Sequence, residues 1–252
     1  MVEIFEAAMS ERKYSILGCP CFAVNEDDAV DHILSIVDSS QAGYSVAINA
    51  EKIWRYGKDI EFTRIVDNSL FPYPDGAGAV LGLKWLHGIR SQKNNMPVKA
   101  LEAANKSSLK TFIVGANEAN HNKAVDIIAG RYPQINLVGH MHGYHSKEDI
   151  IQAVAAAKPQ LILVAMGSPK QELFAAELLS QVKSGFVIGC GGALDILSGA
   201  LNRAPQFMID NNLEWFYRLY KQPWRFRRQL FLPLFVVRLI VLSLLKRSKS
   251  SS

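Results

Sequence analysis

Four short segments combine glycine with charged or amide side chains in the manner of ligand-binding loops. They are INAEK (48–52), YPDGAG (73–78), MGSPKQE (166–172) and GCGGALD (189–195). Glycine lets a backbone approach a ligand closely, and the free amides at a helix start favour an anion. The carboxylate of Asp75 can take a proton from a hydroxyl, and Lys170 adds a positive charge for a diphosphate. The segments predict a site for a phosphate-bearing ligand with a general base beside it.

The elements that position these segments are apolar runs alternating with helical patterns. The strand-like runs are 44–49, 111–115, 135–138, 161–165 and 186–189, and the helical patterns are 119–131, 147–158 and 170–183. Such alternation is typical of a Rossmann-like α/β fold, a parallel sheet flanked by helices. Ligands of open α/β sheets bind beyond the carboxyl ends of the strands. The four segments are therefore expected at one edge of the sheet.

Two of the segments have structural interpretations as well as functional ones. Asp75 can act as a general base or can cap the helical pattern at 80–86. Asn49 stands at a strand end and can hydrogen-bond a sugar. Glu51 and Lys52 are expected merely to open a helix.

The other two segments carry the predicted donor contacts. Lys170, Gln171 and Glu172 can bind a nucleotide diphosphate or can be solvated side chains of an ordinary helix start. Asp195 can accept a hydrogen bond from a uracil or a ribose. Three glycines can bring the backbone to the ligand or can serve tight packing alone: Gly167, Gly191 and Gly192.

Positive charge is concentrated at one end of the chain. Residues 214–252 hold nine of the 28 Lys and Arg residues and one of the 23 acids, which leaves the rest of the chain with a net charge of −3. Four of these arginines alternate with Trp, Phe and Tyr. This pattern suits an anionic bilayer surface or a phosphate-bearing ligand. The arginines that could hold a diphosphate or lipid headgroups are Arg218, Arg225, Arg227 and Arg228.

The apolar run at 230–245 favours a helix lying on a membrane. Its sixteen residues fall short of the ~20 that a spanning helix needs, and they include Pro233 and Arg238. Arg238 can snorkel while the following Lys246 meets acidic headgroups. A spanning helix and a buried terminal helix remain alternatives. An exposed apolar tail can also drive self-association without a membrane, so a homo-oligomer stays open.

Length and cysteine usage place the chain in the cytoplasm as one α/β domain, 1–212, followed by an appendage, 213–252. The chain has 252 residues, is 49% hydrophobic and contains three cysteines. That composition supports one substantial core and no even disulfide framework. No apolar signal segment follows the amino terminus. The CPC pair at 19–21 is interpreted as structural, with a metal or redox role as the alternative.

Three other function classes fit less well. The three histidines of GHMHGYH (139–145) could bind zinc but are interpreted as loop residues, so no metal is expected. Aromatics in the basic tail could stack on RNA, yet the apolar run that follows favours lipid, so no nucleic acid is expected. A nicotinamide enzyme would need a Gly-x-Gly-x-x-Gly turn after its first strand, which is absent from the sequence.

The order of five motifs resembles the bacterial WecG/TagA/CpsF glycosyltransferases. These motifs are VAINAEK, PDGAG, VAMGSPKQE, GCGGALDILSGALNRAP and LEWFYRLYKQPWRFRRQ. The resemblance covers about residues 16–229. VAINAEK and GSPKQE look most like the branch that transfers N-acetylmannosaminuronic acid in enterobacterial common antigen synthesis.

The resemblance implies an inverting, metal-independent transfer without a cofactor, from a UDP-sugar to an undecaprenyl-diphosphate-linked N-acetylglucosamine. Asp75 matches the family's DGxG aspartate and would be the base, and Arg203 matches a further family motif. The sequence has no Asp-x-Asp pair, so cations and helix starts would stabilise the departing UDP. The enzyme would sit peripherally on the cytoplasmic face of the inner membrane. Transfer of neutral N-acetylmannosamine or another hexose is the alternative.

One stretch departs from the family pattern. Residues 91–104, SQKNNMPVKALEAA, stand where relatives usually carry an Arg-x-x-Gly-x-Asp-like segment. Recognition of the acceptor or sugar through that segment is therefore not expected to follow the family.

Overall fold

The structure is a computed structural model that describes residues 12–91, 95–201, 205, 207–208, 216–217, 220 and 230–250. The proposed domain boundary after residue 212 lies outside these residues and stays a prediction.

The described strands form a small hairpin and one large sheet. The strands are β1 (Lys13–Ile16), β2 (Cys19–Phe22), β3 (Gly43–Ile48), β4 (Phe71–Pro74), β5 (Lys110–Gly115), β6 (Asn136–Met141), β7 (Leu161–Ala165) and β8 (Phe186–Gly189). β1 and β2 pair antiparallel. The other six form a sheet in the order β4-β3-β8-β7-β5-β6, in which every pair is parallel. All six carboxyl ends therefore meet at one edge, as the sequence predicts.

The described helices cover both faces of this sheet. They are α1 (Glu26–Asp38), α2 (Ala50–Arg55), α3 (Ile60–Asp67), α4 (Ala77–His87), α5 (Met96–Lys106), α6 (Glu118–Arg131), α7 (Lys147–Ala157), α8 (Lys170–Val182), α9 (Ala193–Leu197) and α10 (Leu232–Ser250). Buried residues of α1, α5, α6 and α9 share one core, and those of the remaining helices share the core on the opposite face. Three layers result, which confirms the α/β fold class.

Helices α1, α3 and α5, strand β4 and the β1–β2 hairpin have no counterpart among the predicted elements. The sequence predicts a loop over 73–78, yet Tyr73 and Pro74 belong to strand β4, FPYP, which lies at the edge of the sheet. An edge strand tolerates Pro72 and Pro74, whose missing N–H groups need no partner on the open side. The β1–β2 hairpin was also missed, since its strands are four residues each and too short to show a period.

The CPC pair lies in this hairpin and is buried. Cys19 and Cys21 are fully enclosed side chains. Burial, assisted by the negative charge of Asp67, raises the pKa of Cys19 to about 12. A thiol that stays protonated is a poor nucleophile and a poor metal ligand, which favours the structural interpretation.

The C-terminal run forms helix α10, which packs on the domain through one face. Phe235 and Leu239 are buried, the Ser243 hydroxyl donates to the Trp85 carbonyl over 3.0 Å, and Phe231 stacks on Trp54. Pro233 falls in the first helical turn, where a missing N–H is tolerated. Within the described residues, no helix is both long and apolar enough to cross a bilayer.

Candidate functional site

The loops after β3 and β4 are packed directly against each other. The Asp75 N–H donates to the Ile48 carbonyl over 2.7 Å. A Cβ added at Gly78 would lie 2.6 Å from the Ala50 Cβ, so only glycine allows this approach of α4 to α2. Asp75 and the start of α2 are therefore neighbours at the edge of the sheet.

The Asp75 carboxylate does not cap helix α4. The N-cap residue is Gly76, with a φ of +86°, and no side chain caps this helix. The carboxylate is half-buried and makes no hydrogen bond to the described part of the chain. The capping alternative for Asp75 is thus wrong, because the positive φ of Gly76 turns the chain before the helix begins. An unengaged carboxylate of this kind can accept a proton.

Negative charge converges beside Asp75. Tyr73 is 3% exposed, and burial followed by the charges of Asp75, Cys190 and Glu172 raises the pKa of its hydroxyl. The hydroxyl is therefore neutral at physiological pH. Both carboxylates thus act electrostatically on this buried phenol, although Asp75 follows β4 and Glu172 lies on α8.

Asn49 and Lys52 hold the start of helix α2. The Asn49 Oδ1 accepts from the Lys52 N–H over 3.0 Å, so this residue caps the helix and leaves its amide nitrogen for a ligand. The Lys52 side chain turns inward and its Nζ lies 2.5 Å from the Glu172 Oε1. The expectation that Lys52 merely opens a helix is wrong, since this ammonium is buried in an ion pair.

Gln171 joins the loop after β7 to the loop after β8. Its Oε1 accepts from the Gly191 N–H over 2.9 Å, and its Nε2 donates to the Glu172 Oε1 over 3.3 Å. Gln171 and Glu172 are 5% and 3% exposed. Both side chains are thus engaged within the protein at the edge where a donor was predicted to bind.

Helix α8 begins without a side-chain cap, although the Gln171 N–H donates to the Gly167 carbonyl over 2.9 Å. Its N-cap residue is Pro169, which provides no side-chain cap, and Gly167 precedes it with a φ of +75°. Lys170 is exposed and forms no ion pair within the described residues. Uncapped amides, the helix dipole and a lysine together make a suitable environment for a phosphate.

Asp195 is held by a partner that the sequence interpretation missed. The Asn120 Nδ2 on α6 donates to the Asp195 Oδ1 over 2.8 Å. Asp195 is half-buried beside Gly192, whose added Cβ would come within 4.0 Å of the Oδ2. Asn120 therefore fixes one carboxylate oxygen and orients the other.

The loop interpretation is wrong for His140, which lies in strand β6. It contacts His121 of α6, which is hydrogen-bonded to the end of β5. The buried His121 Nδ1 donates to the Gly115 carbonyl over 2.8 Å, so its Nε2 accepts from the His140 Nδ1 over 3.1 Å. Burial and the nearby His140 lower the pKa of His121, which keeps it neutral. Among the described residues, no group of three His, Cys, Asp or Glu side chains has metal-binding geometry.

The arginines assigned to the acceptor or a diphosphate lie outside the described residues. They are Arg203, Arg218, Arg225, Arg227 and Arg228. Their roles stay predictions.

Comparison with known proteins shows the family to which the chain belongs. The model of the glycosyl transferase WecG/TagA/CpsF family matches residues 14–250. The chain belongs to this family.

Two curated relatives that carry the same name match most of this chain. The N-acetylglucosaminyldiphosphoundecaprenol N-acetyl-beta-D-mannosaminyltransferase of Bacillus subtilis (strain 168) is 32% identical over 218 residues, covering 85% of this chain and 83% of the relative. Its counterpart in Bacillus spizizenii (strain ATCC 23059 / NRRL B-14472 / W23) is 27% identical over 243 residues, covering 91% and 92%. The glycosyltransferase activity expected from the motifs is thereby confirmed.

The candidate site includes two residues, Lys52 and Asn120, that the sequence analysis does not assign to it. Lys52 follows Asn49 by three positions, which signals a helix start but not the direction of its side chain. Asn120 lies in a polar stretch of α6 with nothing to distinguish it from Asn122. Their partners are 120 and 75 positions away in sequence, so only the folded chain identifies them.

Proposed function

We propose that the protein transfers N-acetylmannosaminuronic acid, with inversion and without a metal, from a UDP-sugar to undecaprenyl-diphosphate-linked N-acetylglucosamine. The observation that carries this proposal is the Asp75 carboxylate, which makes no hydrogen bond among the described residues and follows β4 at the same sheet edge as the start of α8. A base and an anion site on one edge are what an inverting displacement from a nucleotide diphosphate requires.

Asp75 has the role of general base. It accepts the proton of the acceptor hydroxyl while that oxygen attacks the anomeric carbon of the donor sugar. The bond between that carbon and the diphosphate oxygen breaks, and UDP departs with the electron pair. A single displacement of this kind inverts the anomeric configuration.

The leaving diphosphate gains negative charge as this bond breaks. Lys170 and the dipole at the start of α8, which has no side-chain cap, stabilise that charge. Gly167 keeps the backbone open to the ligand, and the loop at Gly191 and Gly192 approaches it from the neighbouring strand. Asn49 and Asp195 supply polar contacts to the sugar and the nucleoside at either side. Arg218, Arg225, Arg227 and Arg228 complement the diphosphate of the acceptor.

Helix α10 supports a location on the cytoplasmic face of the inner membrane. Its outer face carries exposed apolar side chains, namely Leu234, Val237, Ile240, Val241, Leu244 and Leu245. Its inner face is fixed to α4 and α2 through Phe235 and Leu239. A helix fixed in this way can lay its outer face into the headgroup region while basic residues meet anionic lipids. The polyprenyl acceptor is itself confined to that surface.

Two donors are supported by different observations. The segments VAINAEK and GSPKQE favour N-acetylmannosaminuronic acid. The names of the two curated relatives favour N-acetylmannosamine. The two sugars differ in one carboxylate, so the choice rests on a cationic or polar group that faces that position of the bound donor.

The test uses the full chain in detergent with a polyprenyl-diphosphate-linked N-acetylglucosamine acceptor. UDP release and product mass are followed with UDP-N-acetylmannosaminuronic acid, UDP-N-acetylmannosamine and UDP-glucose, each with and without EDTA. Transfer of the uronic acid that survives EDTA supports the proposal. If only a neutral sugar is transferred, the proposed uronic acid donor is wrong and the neutral sugar takes its place. If EDTA abolishes transfer, the metal-independent mechanism is overturned.

A further inference from the structure

The Lys52–Glu172 ion pair has no role in the chemistry proposed above. Its side chains are 6% and 2% exposed, and the Nζ–Oε1 distance is 2.5 Å. Burying two charges costs desolvation that their attraction barely offsets, so an apolar pair of similar volume would give equal or greater stability. Stability alone therefore does not explain why charges occupy this place.

The pair is one end of a chain of polar contacts that reaches the Gly191 backbone. The Lys52 ammonium and the Gln171 Nε2 both donate to the same oxygen, Glu172 Oε1. The opposite end of the Gln171 amide accepts from the Gly191 N–H over 2.9 Å. Three strand-end loops are linked in this way, those after β3, β7 and β8.

Close packing leaves the Gln171 amide little freedom. A Cβ added at Gly189 would lie 2.4 Å from the Gln171 Nε2, so the amide presses against the backbone of β8. Its orientation is then decided by its hydrogen bonds. With Glu172 as an acceptor, Nε2 points to the carboxylate and Oε1 points to Gly191; a flipped amide would lose both contacts.

Glu172 acts inside the protein and not on a ligand. Its second oxygen, Oε2, is buried and has no hydrogen-bond partner in the part of the chain that the structure describes. A ligand atom the size of water has no access to it, so the carboxylate reaches a donor only through its neighbours. Its charge is balanced by Lys52, which would otherwise be an unpaired buried cation.

We propose that Lys52 and Glu172 are positioning residues of the donor site, which orient the Gln171 amide and through it hold the Gly191–Gly192 loop in the conformation that receives the donor diphosphate. This inference rests on the proposed function, because it assigns the loop to the UDP-sugar. It adds Lys52 to the residues that matter for donor binding. It also gives Glu172 an indirect role, in place of the direct contact with the donor that the sequence predicts.

The experiment removes both charges together, so that no buried charge is left unpaired. The double variant Lys52→Met, Glu172→Leu is compared with the unaltered chain in three measurements: the Kd for UDP by calorimetry, the KM and kcat for the UDP-sugar, and amide hydrogen exchange of the peptide covering 189–195. Thermal unfolding confirms that the fold is kept.

The matched control removes an exposed ion pair that joins α7 to α8, the helix that carries Glu172. Lys147 and Glu177 are joined over 2.6 Å and are 58% and 38% exposed. The double variant Lys147→Met, Glu177→Leu makes the same chemical change at a pair outside the hydrogen-bonded chain that runs from Lys52 to Gly191. It is expected to leave the Kd, the KM and the exchange of 189–195 unchanged.

For the buried double variant we expect an unchanged fold, a Kd for UDP and a KM for the donor raised about tenfold, and a smaller change in kcat. Exchange of the 189–195 amides is expected to be faster. A merely structural pair would alter the unfolding temperature without changing the Kd. An unaltered Kd and KM with a retained fold overturn the inference.

Failure of the proposed function has a different signature. If the unaltered chain neither binds UDP nor transfers sugar, the donor assignment itself is wrong. If the buried double variant does not fold, Gln171→Leu replaces it, because this change breaks both amide contacts and leaves the ion pair intact. Unchanged UDP affinity and unchanged 189–195 exchange in Gln171→Leu would then overturn the inference.

Discussion

The Lys52 ammonium donates to the Glu172 carboxylate over 2.5 Å, although the two residues lie 120 positions apart in the sequence. One belongs to the short helix after β3 and the other to the first turn of the helix after β7. Their contact joins the loop after β3 to the loop after β7 in one hydrogen-bonded group. The Asp75 loop adjoins this group through the close approach of Gly78 to Ala50.

Breaking that pair from one side should destabilise the fold strongly. Lys52→Met leaves the Glu172 carboxylate buried without a counter-charge, so we expect the free energy of unfolding in urea to fall by about 3–5 kcal/mol. Adding Glu172→Leu should restore most of it. Lys147→Met, at an exposed pair, should change it by less than about 1 kcal/mol. A single variant as stable as the double one would contradict the burial argument.

Replacing the candidate base should abolish transfer without affecting donor binding. Asp75→Asn removes the proton acceptor while keeping the shape of the side chain, and we expect kcat to fall by about 10² to 10⁴. Calorimetry should give an unchanged Kd for UDP. Asp126→Asn, an exposed aspartate on α6, serves as the control. Retention of more than a tenth of kcat in Asp75→Asn would assign proton removal to another group.

Asn120 should influence the donor site through Asp195. Asn120→Ala removes the 2.8 Å hydrogen bond that orients this carboxylate. A lost hydrogen bond of about 1 kcal/mol corresponds to an increase of roughly fivefold in the KM for the UDP-sugar. Asn122→Ala, exposed on the same helix, should leave the KM unchanged. Equal kinetics of the two variants would show that Asp195 needs no such support.

The buried His32 should make the fold sensitive to mild acid. Burial lowers the pKa of His32 from 6.5 to about 4 in the folded chain. The unfolded chain therefore takes up a proton first as the pH falls below about 6.5, and stability declines until the pH reaches about 4. At pH 5 the loss from this group is about 2 kcal/mol.

His32→Leu isolates this contribution from that of other titrating groups. The variant should lose about 2 kcal/mol less than the unaltered chain between pH 7 and pH 5, measured by urea unfolding. His145→Leu, at an exposed histidine, should show the same decline as the unaltered chain. Parallel pH profiles for the His32 variant and the unaltered chain would contradict a depressed pKa.

The outer face of α10 should govern membrane binding. The triple variant Leu234→Gln, Val237→Gln, Val241→Gln removes apolar surface without touching the buried Phe235 and Leu239. We expect partition into vesicles of anionic lipid to fall by at least about tenfold. Ile60→Gln, which alters an apolar side chain that is 72% exposed on α3, should have no effect. Undiminished binding of the triple variant would place the membrane contact elsewhere.

Much of the fold could be predicted because its signals are local. Continuous apolar runs such as LILVA indicate buried parallel strands, and glycine at their ends indicates the edge where ligands bind. FPYP escaped detection for an equally physical reason. Its prolines contradict a central strand, and nothing in a single sequence reveals that β4 lies at the edge.

The sequence by itself determined the residue types available at the site: a carboxylate on a glycine turn, a lysine at a proline-started helix, and a basic, apolar end to the chain. These depend on neighbours in the chain and on backbone preferences that act over a few residues. The tertiary structure decided which groups are free. The Asp75 carboxylate does not cap α4, because Gly76 takes the N-cap position. Lys52 and Asp195 are bound to partners that are distant in sequence. Burial and pairing arise only when strands far apart in sequence become neighbours, so no local pattern specifies them.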